Sequence, residues 1–283
     1  GSESVLWNPA GLLSLERREL TFTYADLFGL GLVDHSVVQF GWPFLRTRIR
    51  WDGDHFVKER LPAPAHHAIG IAFSSVRAEV GEEDSYSESQ LALALAWRMF
   101  WGLRSGLTYR YLTADADVGS AGGHGHGVDF GMLREVGPVD LGFSATNLVS
   151  SMTFDPEPES DGVEVPDRND PIPRRWEAGL AFRPLAGRPF GWEGGENLRW
   201  FAGALWSGDG FETSQYSTGG EFAVLPECTV RGAARRRHDV LGWRWEWGAG
   251  LGVRVGELRF DYGVTDSAHD LGTTHRWGAG IAL

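Results

Sequence analysis

Two histidines and a run of acidic residues are the groups in this sequence whose types and spacing could do chemistry. His124 and His126 flank Gly125, so both imidazoles can share one strand face, but no Cys or carboxylate cluster accompanies them to complete a metal site. We interpret this Gly-rich run as a flexible loop. The carboxylates between residues 155 and 164 lack the Asx-Gly spacing of a calcium-binding loop, and we interpret them as a solvated acidic loop.

Catalytic motifs are missing as well. The sequence has no Gly-x-Ser-x-Gly motif, and its spacing nominates no set of Ser, His and Asp. We therefore predict a non-enzymatic protein with no catalytic residue, no metal site and no cofactor.

Composition and charge narrow the class of protein further. A net charge of -12 argues against a nucleic-acid partner. No window approaches about 20 consecutive apolar residues, which excludes a transmembrane helix. The 39 Gly and 13 Trp suit tight turns, small inward-facing side chains and the aromatic girdles of a membrane barrel.

Alternation of side-chain size predicts strands from residue 19 to the end of the chain. In the clearest case Leu91, Leu93 and Leu95 share one face, while Ala92 and Ala94 share the other. The pattern repeats about fourteen times with strands of about ten residues, the length that crosses a bilayer obliquely. The sequence therefore predicts an all-β fold, a single antiparallel transmembrane β-barrel of about 14 strands with both termini at its periplasmic end. A soluble β-sandwich is the alternative.

The composition of the two strand faces predicts which one is inside. One face carries large apolar residues, including Trp243, Trp245 and Trp247, and is expected to meet lipid. The other carries Gly and Ala with intermittent charges, which suits a crowded lumen where arginines pair with carboxylates. The predicted lumen charge network consists of Arg104, Arg110, Asp129, Asp140, Glu177, Arg183, Glu221, Arg244, Glu246, Arg254, Arg259, Asp261 and Arg276.

Residues 1–18 precede the strands and are predicted to form a plug inside the barrel of residues 19–283. Its centre is the compact stretch Trp7, Asn8, Pro9, Ala10, Gly11 and Leu12. Pro fixes one backbone angle, Gly permits a left-handed turn and Asn can bond its own backbone. We expect the side chains of Trp7 and Leu12 to be buried in the lumen and that of Asn8 to bond the barrel wall. Two connections are predicted to be long, a periplasmic insertion at 43–65 and an acidic surface loop at 153–173.

Several motifs together resemble the PorV/PorQ-type outer-membrane proteins, which are relatives of the FadL transporters. The motifs are Trp7-Asn8-Pro9-Ala10-Gly11-Leu12, the run from Tyr24 to Ser36, Asp129-Phe130-Gly131-Met132-Leu133, Leu141-Gly142-Phe143, Thr146-Asn147-Leu148, Gly220-Glu221-Phe222, Val230-Arg231-Gly232 and Thr274-His275-Arg276-Trp277-Gly278. The resemblance implies a 14-stranded barrel with an N-terminal plug in the bacterial outer membrane.

Two functions follow from the resemblance. The first is docking: a barrel that serves as a scaffold for protein partners in a secretion or envelope complex, which short loops and a charge-filled lumen favour. The alternative is a FadL-like channel for a small hydrophobic ligand, with the stretch from Asn8 to Gly11 as a hatch and a lateral exit where a strand kinks. In both cases outer-membrane lipid surrounds the barrel.

Overall fold

A computed structural model gives the fold of the chain. It describes residues 1–45, 47–51, 55–60, 65–80, 84–116, 121–154, 168–183, 198–208, 213–239, 242–266 and 272–283. The predicted acidic loop falls mostly outside these described residues, because only its two ends, at 153–154 and 168–173, are included.

Fourteen antiparallel strands close into one barrel, as the sequence predicted. The first strand pairs with the last, from Glu19 opposite Ala282 to Asp26 opposite His275, so the sheet has no free edge where the barrel closes. The barrel strands are β1 (Glu19–Leu27), β2 (Val33–Phe44), β5 (His67–Val80), β6 (Asp84–Arg98), β7 (Arg104–Ala116), β8 (Ala121–Val136), β9 (Val139–Phe154), β11 (Arg175–Phe182), β12 (Leu198–Ser207), β13 (Thr213–Leu225), β14 (Cys228–Asp239), β15 (Gly242–Val255), β16 (Leu258–Asp266) and β17 (Thr273–Ala282).

Three further strands lie outside the barrel count. A small hairpin of β3 (Thr47–Trp51) and β4 (Phe56–Arg60) connects β2 to β5, and the short β10 (Arg168–Asp170) pairs with the end of β9. The helical elements of the described residues are short: one α-helical turn, α1 (Ser4–Trp7), and two 3-10 helices at Pro9–Ser14 and Phe100–Gly102. None of the helices in the described ranges has the length and apolarity needed to cross a bilayer.

The two ends of the barrel differ in their connections. The end that carries both termini has three two-residue turns, at 137–138, 226–227 and 256–257. Short turns are typical of the periplasmic end of outer-membrane barrels. The β3–β4 hairpin lies at this same end, since β2 descends to it and β5 leaves it.

The barrel wall separates small inward residues from large outward ones. On β6, Ala92, Ala94 and Ala96 are buried, whereas Leu91 and Leu93 are exposed on the outer face. Exposed aliphatic and aromatic residues continue around the outside of the barrel on most of its strands. An apolar belt of this kind can only be stable against lipid, so the barrel spans a membrane.

Three boundaries differ from the sequence prediction. The glycine-rich run around His124 and His126 is not a loop, because it forms the first half of β8 and pairs with both β7 and β9. The connection predicted at 43–65 begins later, since positions 43 and 44 still pair with β5. Likewise, 153–154 belong to β9 and 168–170 form β10. In the first case the cross-strand ladder extends a strand through glycines, which have low strand propensity.

Candidate functional site

The N-terminal segment, residues 1–18, begins with two helical turns that join at Asn8. The Asn8 side chain caps the 3-10 helix by accepting a hydrogen bond from the amide of Ala10 at 3.2 Å. Pro9 occupies the first helical position, where a missing N–H costs nothing. The same Asn8 amide donates to the carbonyl oxygens of Met132 (3.2 Å) and Phe143 (3.0 Å). The Asn8 side chain therefore caps the start of the 3-10 helix and also fastens the segment to β8 and β9.

Glycines on two pairs of neighbouring strands, β2 with β5 and β7 with β8, provide the seat for this segment. A Cβ atom placed on Gly106 would lie 2.8 Å from the backbone carbon of Pro9, and one on Gly131 would lie 2.9 Å from the Pro9 Cδ. On the other side, a Cβ on Gly41 would lie 2.5 Å from a methyl of Leu15, and one on Gly70 would meet Leu12 at 3.1 Å. The segment therefore lies so close to the wall that a residue with a Cβ atom at any of these four positions would clash with it.

Apolar side chains fill the space above the glycine seat. Val5, Leu12 and Leu13 are fully buried and pack with the inward alanines of β5 and β6. Trp7 is a correction to the prediction, because 67% of its surface is exposed. Two residues apart on a helical turn point to opposite sides, so when Val5 faces the wall Trp7 cannot. Leu12, by contrast, is buried as expected.

Polar contacts hold the segment around its edge. Ser2 donates from its amide to Glu19 at 2.6 Å, and Arg104 donates to Ser14 at 2.6 Å and to Glu135 at 2.7 Å. Thr108 donates to the carbonyl oxygen of Val5 at 2.9 Å. A further ion pair between Glu3 and Arg259 reaches across to β16. The segment is thus anchored to both sides of the lumen.

A buried ion pair lies on the wall next to the glycine seat. Arg110 donates to Asp129 at 2.9 Å, and their side chains are only 13% and 5% exposed. Both residues also bond Asn147: its backbone amide donates to Asp129 at 2.8 Å, and its side-chain oxygen accepts from Arg110. Asn147 has a positive φ of 59°, and the β8–β9 register shifts between Val128 and Phe130. These residues form a β-bulge that bends the strands.

The backbone ladder is interrupted beside this bulge. On the side facing β11, β9 pairs as far as Thr146 and resumes only at Met152, where it meets β10. The chain opposite the interruption, residues 171–174, contains two prolines, which have no N–H to donate. Side chains close this wall seam instead: Asn147 donates to the Pro173 carbonyl at 2.8 Å and Ser150 to the Ile172 carbonyl at 3.0 Å. We call residues 147–151 and 171–174 the wall seam.

The wall opposite the glycine seat carries paired charges that remain partly exposed. Arg231 donates to Glu221 at 2.7 Å and to Asp261 at 2.6 Å, and Arg259 contacts the same Asp261 at 2.8 Å. The Arg231 side chain is 38% exposed although it faces the lumen. Two further clusters join Glu246 to Arg235 and Arg237, and Asp140 to Arg183 and Arg199. The N-terminal segment therefore fills one side of the lumen and leaves the other accessible.

Four residues of the predicted charge network lie apart from these clusters. Within the described residues, no ion pair is formed by Glu177, Arg254 or Arg276, and Arg244 faces Arg237 in the ladder. The cross-strand partners explain this: Arg254 faces Arg259, while Arg276 faces Gly263 and Ala25. The alternation places these side chains on a face, but only the register decides whether an opposite charge lies across from them.

Several site residues were missed from the sequence. Arg231, Arg235 and Arg237 occupy alternating positions on β14, a signal that was available but weak because no regular apolar face accompanies it. Glu3, Glu135, Arg199 and Asn147 gave no signal of their own, apart from the place of Asn147 in a family-like motif. The described part of the chain contains no group of three or more His, Cys, Asp and Glu able to hold a metal ion.

Comparison with known proteins identifies the fold. No family model and no curated protein matches the sequence. Among solved structures, a FadL homologue of Pseudomonas aeruginosa is similar over 99% of this chain and 94% of its own, with a TM-score of 0.62 and 11% identity. The toluene transporter TodX of Pseudomonas putida has a TM-score of 0.61 at 10% identity, covering 99% of this chain and 92% of its own. TbuX, the toluene transporter of Ralstonia pickettii, has a TM-score of 0.56 at 11% identity, covering 100% and 92%.

These similarities support the FadL part of the sequence resemblance at the level of the fold. The narrower resemblance to PorV/PorQ proteins rests on the sequence motifs alone. A closed barrel with an apolar belt, in a fold shared with outer-membrane transporters, is an outer-membrane barrel, as the sequence predicted.

Proposed function

We propose that this chain is a non-enzymatic outer-membrane channel for small hydrophobic molecules. In this proposal the N-terminal segment is the plug, and the wall seam is the lateral exit into the membrane. The observation that carries the proposal is the position of the seam beside the plug's seat. Asn8 is bonded to β8 and β9, the two strands that form the bulge, and Asp129 lies two residues from the seat glycine Gly131 on the same face of β8.

A lateral exit suits a hydrophobic molecule because it avoids passage through water on the way to the bilayer. The seam is also the part of the wall that opens with the least loss, since side-chain hydrogen bonds from Asn147 and Ser150 replace a regular ladder there. The Arg110–Asp129 pair holds the bulge in shape, and its loss would leave a buried charge without a partner.

The similar structures support this choice between the two functions predicted from the sequence. TodX and TbuX are described as toluene transporters, and the channel was the alternative prediction. The docking interpretation depended on short loops and on a lumen filled by charge pairs. The pairs that join Arg231 to Glu221 and to Asp261, on the wall opposite the glycine seat, stay partly exposed, so a filled lumen no longer favours docking.

Uptake by purified protein tests the proposal. The double variant Asn8→Ala and Pro9→Gly removes the cap, both bonds to the wall and the backbone restriction of the plug. In vesicles containing lipopolysaccharide, we expect it to change the entry rate of an aromatic hydrocarbon probe while heat-modifiable mobility shows a folded barrel. Trp245→Phe, a change on the outer wall, is the matched control and should leave entry unchanged. If the wild type and the plug variant both equal protein-free vesicles, the channel function is wrong.

A further inference from the structure

A hollow lies at the periplasmic rim, away from the wall seam. Its volume is about 410 Å³, and it lies between the start of β1, the end of β2 and the C-terminal end of β17. The residues that line it are Arg17, Arg18, Trp42, Pro43, Phe44, Leu45 and Leu283. It thus combines two cationic side chains with an apolar and aromatic wall.

The aromatic wall stands at the level where a membrane ends. Trp42 and Phe44 stack with ring centroids 5.5 Å apart and an interplanar angle of 23°, and both are exposed on the outer face of β2. Exposed Leu20 and Leu283 continue the apolar surface. Trp rings are typical of the boundary between hydrocarbon and headgroups, so the hollow faces the headgroup region of the inner leaflet.

The two arginines give this rim a positive site on an otherwise acidic protein. The Arg18 guanidinium lies 4.2 Å from the centre of the Trp42 ring, a cation–π contact that fixes its place while its N–H groups stay available. Arg17 contacts Glu257 at 2.5 Å, but both side chains are more than half exposed. An exposed ion pair contributes little stability and exchanges readily for a stronger anion. The net charge of the whole chain is -12, so the two arginines place positive charge on a protein that is acidic as a whole.

We propose that this hollow binds the phosphate group of an anionic glycerophospholipid of the periplasmic leaflet. Arg17 and Arg18 hold the phosphate through charge-assisted hydrogen bonds. Trp42, Phe44 and Leu283 contact the glycerol and the first part of the acyl chains. A lipid fits better than a free anion because the arginines adjoin an apolar wall that water-soluble phosphate cannot use. The site is independent of the proposed channel.

Lipid binding can be measured by native mass spectrometry on the full chain in detergent. We expect phosphatidylglycerol to bind about tenfold more tightly than phosphatidylcholine, whose choline group meets the arginines unfavourably, and added salt should weaken it. The double variant Arg17→Gln and Arg18→Gln should lose about tenfold in affinity for phosphatidylglycerol and change little for phosphatidylcholine.

Two controls distinguish this site from general lipid binding. Arg236→Gln removes another arginine that stacks on a tryptophan, 4.6 Å from the Trp243 ring centre at the opposite end of the barrel, and should leave binding unchanged. Phe44→Ala keeps both charges and should weaken both lipids. Equal binding by wild type and the Arg17/Arg18 variant, both folded by heat-modifiable mobility, overturns the proposal. So does displacement of the lipid by millimolar inorganic phosphate, since the site would then be one for a free anion.

Discussion

Four glycines determine where the N-terminal segment can lie. Gly41 pairs with Gly70 across β2 and β5, and Gly106 pairs with Gly131 across β7 and β8. Each pair leaves room on the inner wall for part of the N-terminal segment. Inward glycines on the opposite wall have no such role. A Cβ on Gly263 would meet only the Ala249 carbonyl oxygen, at 3.7 Å. The fit between the N-terminal segment and the wall therefore depends on glycine at these four positions.

Gly106→Ala tests this fit with a single methyl group. The new Cβ would lie 2.8 to 2.9 Å from backbone atoms of Pro9 and Ala10, which cannot move aside as a flexible side chain could. We expect a loss of about 1–3 kcal/mol in the free energy of unfolding, as for overpacked cores, and faster proteolysis within residues 1–18. Gly263→Ala is the matched control and should change neither quantity. Equal proteolysis of the two variants would show that the glycine does not define the seat.

Among the strands, the wall seam is the feature that matters most for the proposed exit. Backbone ladders join the neighbouring barrel strands, β9 with β11 included. Between β9 and the chain before β11, side-chain bonds replace the ladder over several residues. Asn147 is central to this feature, because its left-handed backbone lies at the bulge of β9 and its side chain bonds both Arg110 and the Pro173 carbonyl. Asn adopts this conformation more readily than most residues.

Replacing Asn147 separates its conformation from its bonds. Asn147→Gly keeps the positive φ at no steric cost but removes the hydrogen bonds to Arg110 and Pro173. Only the bond to Pro173 crosses the wall seam, and since such a bond contributes about 1 kcal/mol, we expect the seam to open more often and probe entry to rise about fivefold. Val149→Gly, on the exposed outer face of the same stretch, is the control for added backbone freedom. Equal entry by both variants would place the exit elsewhere.

The sequence predicts elements better than it predicts their connections. Alternation of Leu and Ala on β6 was enough to assign both faces, because a strand period of two is a local property. The local composition from Gly122 to Gly127 favours a loop, because glycine disfavours strands. Pairing with β7 and β9, for example with Thr113 and Met152, extends β8 through the run, and the local sequence does not contain that pairing. The partners of Arg231 depend on the barrel register, which no local pattern contains. Trp7 was misplaced because a single helical turn has too few residues to show a face.

At the scale of the whole molecule, the barrel has two surfaces with opposite requirements. Its lumen is half filled by the N-terminal segment and half lined by paired charges, which are tolerated because each is close to water or an opposite charge. A charge on its outer face would have neither water nor an opposite charge beside it near the membrane centre, where lipid accepts only apolar side chains. Depth in the membrane should therefore control the effect of an outward-facing charge.

Two positions on β15 test this dependence, because both face outward and differ in height. Leu251 lies in the middle of the paired region, opposite Val230 and Tyr262, whereas Trp245 lies near the start of the strand and close to the cation Arg236. We expect Leu251→Arg to lower the free energy of folding into vesicles by about 2–4 kcal/mol and Trp245→Arg by about 1 kcal/mol or less, because the cost of Arg falls toward the interface.

Urea titration of folding into phosphatidylcholine vesicles measures both values in one assay. Leu251→Ala and Trp245→Ala are the controls, because they remove the apolar side chain at each position without adding charge. The difference between the Arg and Ala variants then isolates the charge from the lost apolar area. A charge cost that is equal at the two positions would mean that β15 does not cross the bilayer in the orientation its exposed face indicates. A larger cost at Trp245 would move the membrane centre toward the end of the barrel opposite the termini, and the rim at Trp42 would then lie outside the headgroup region.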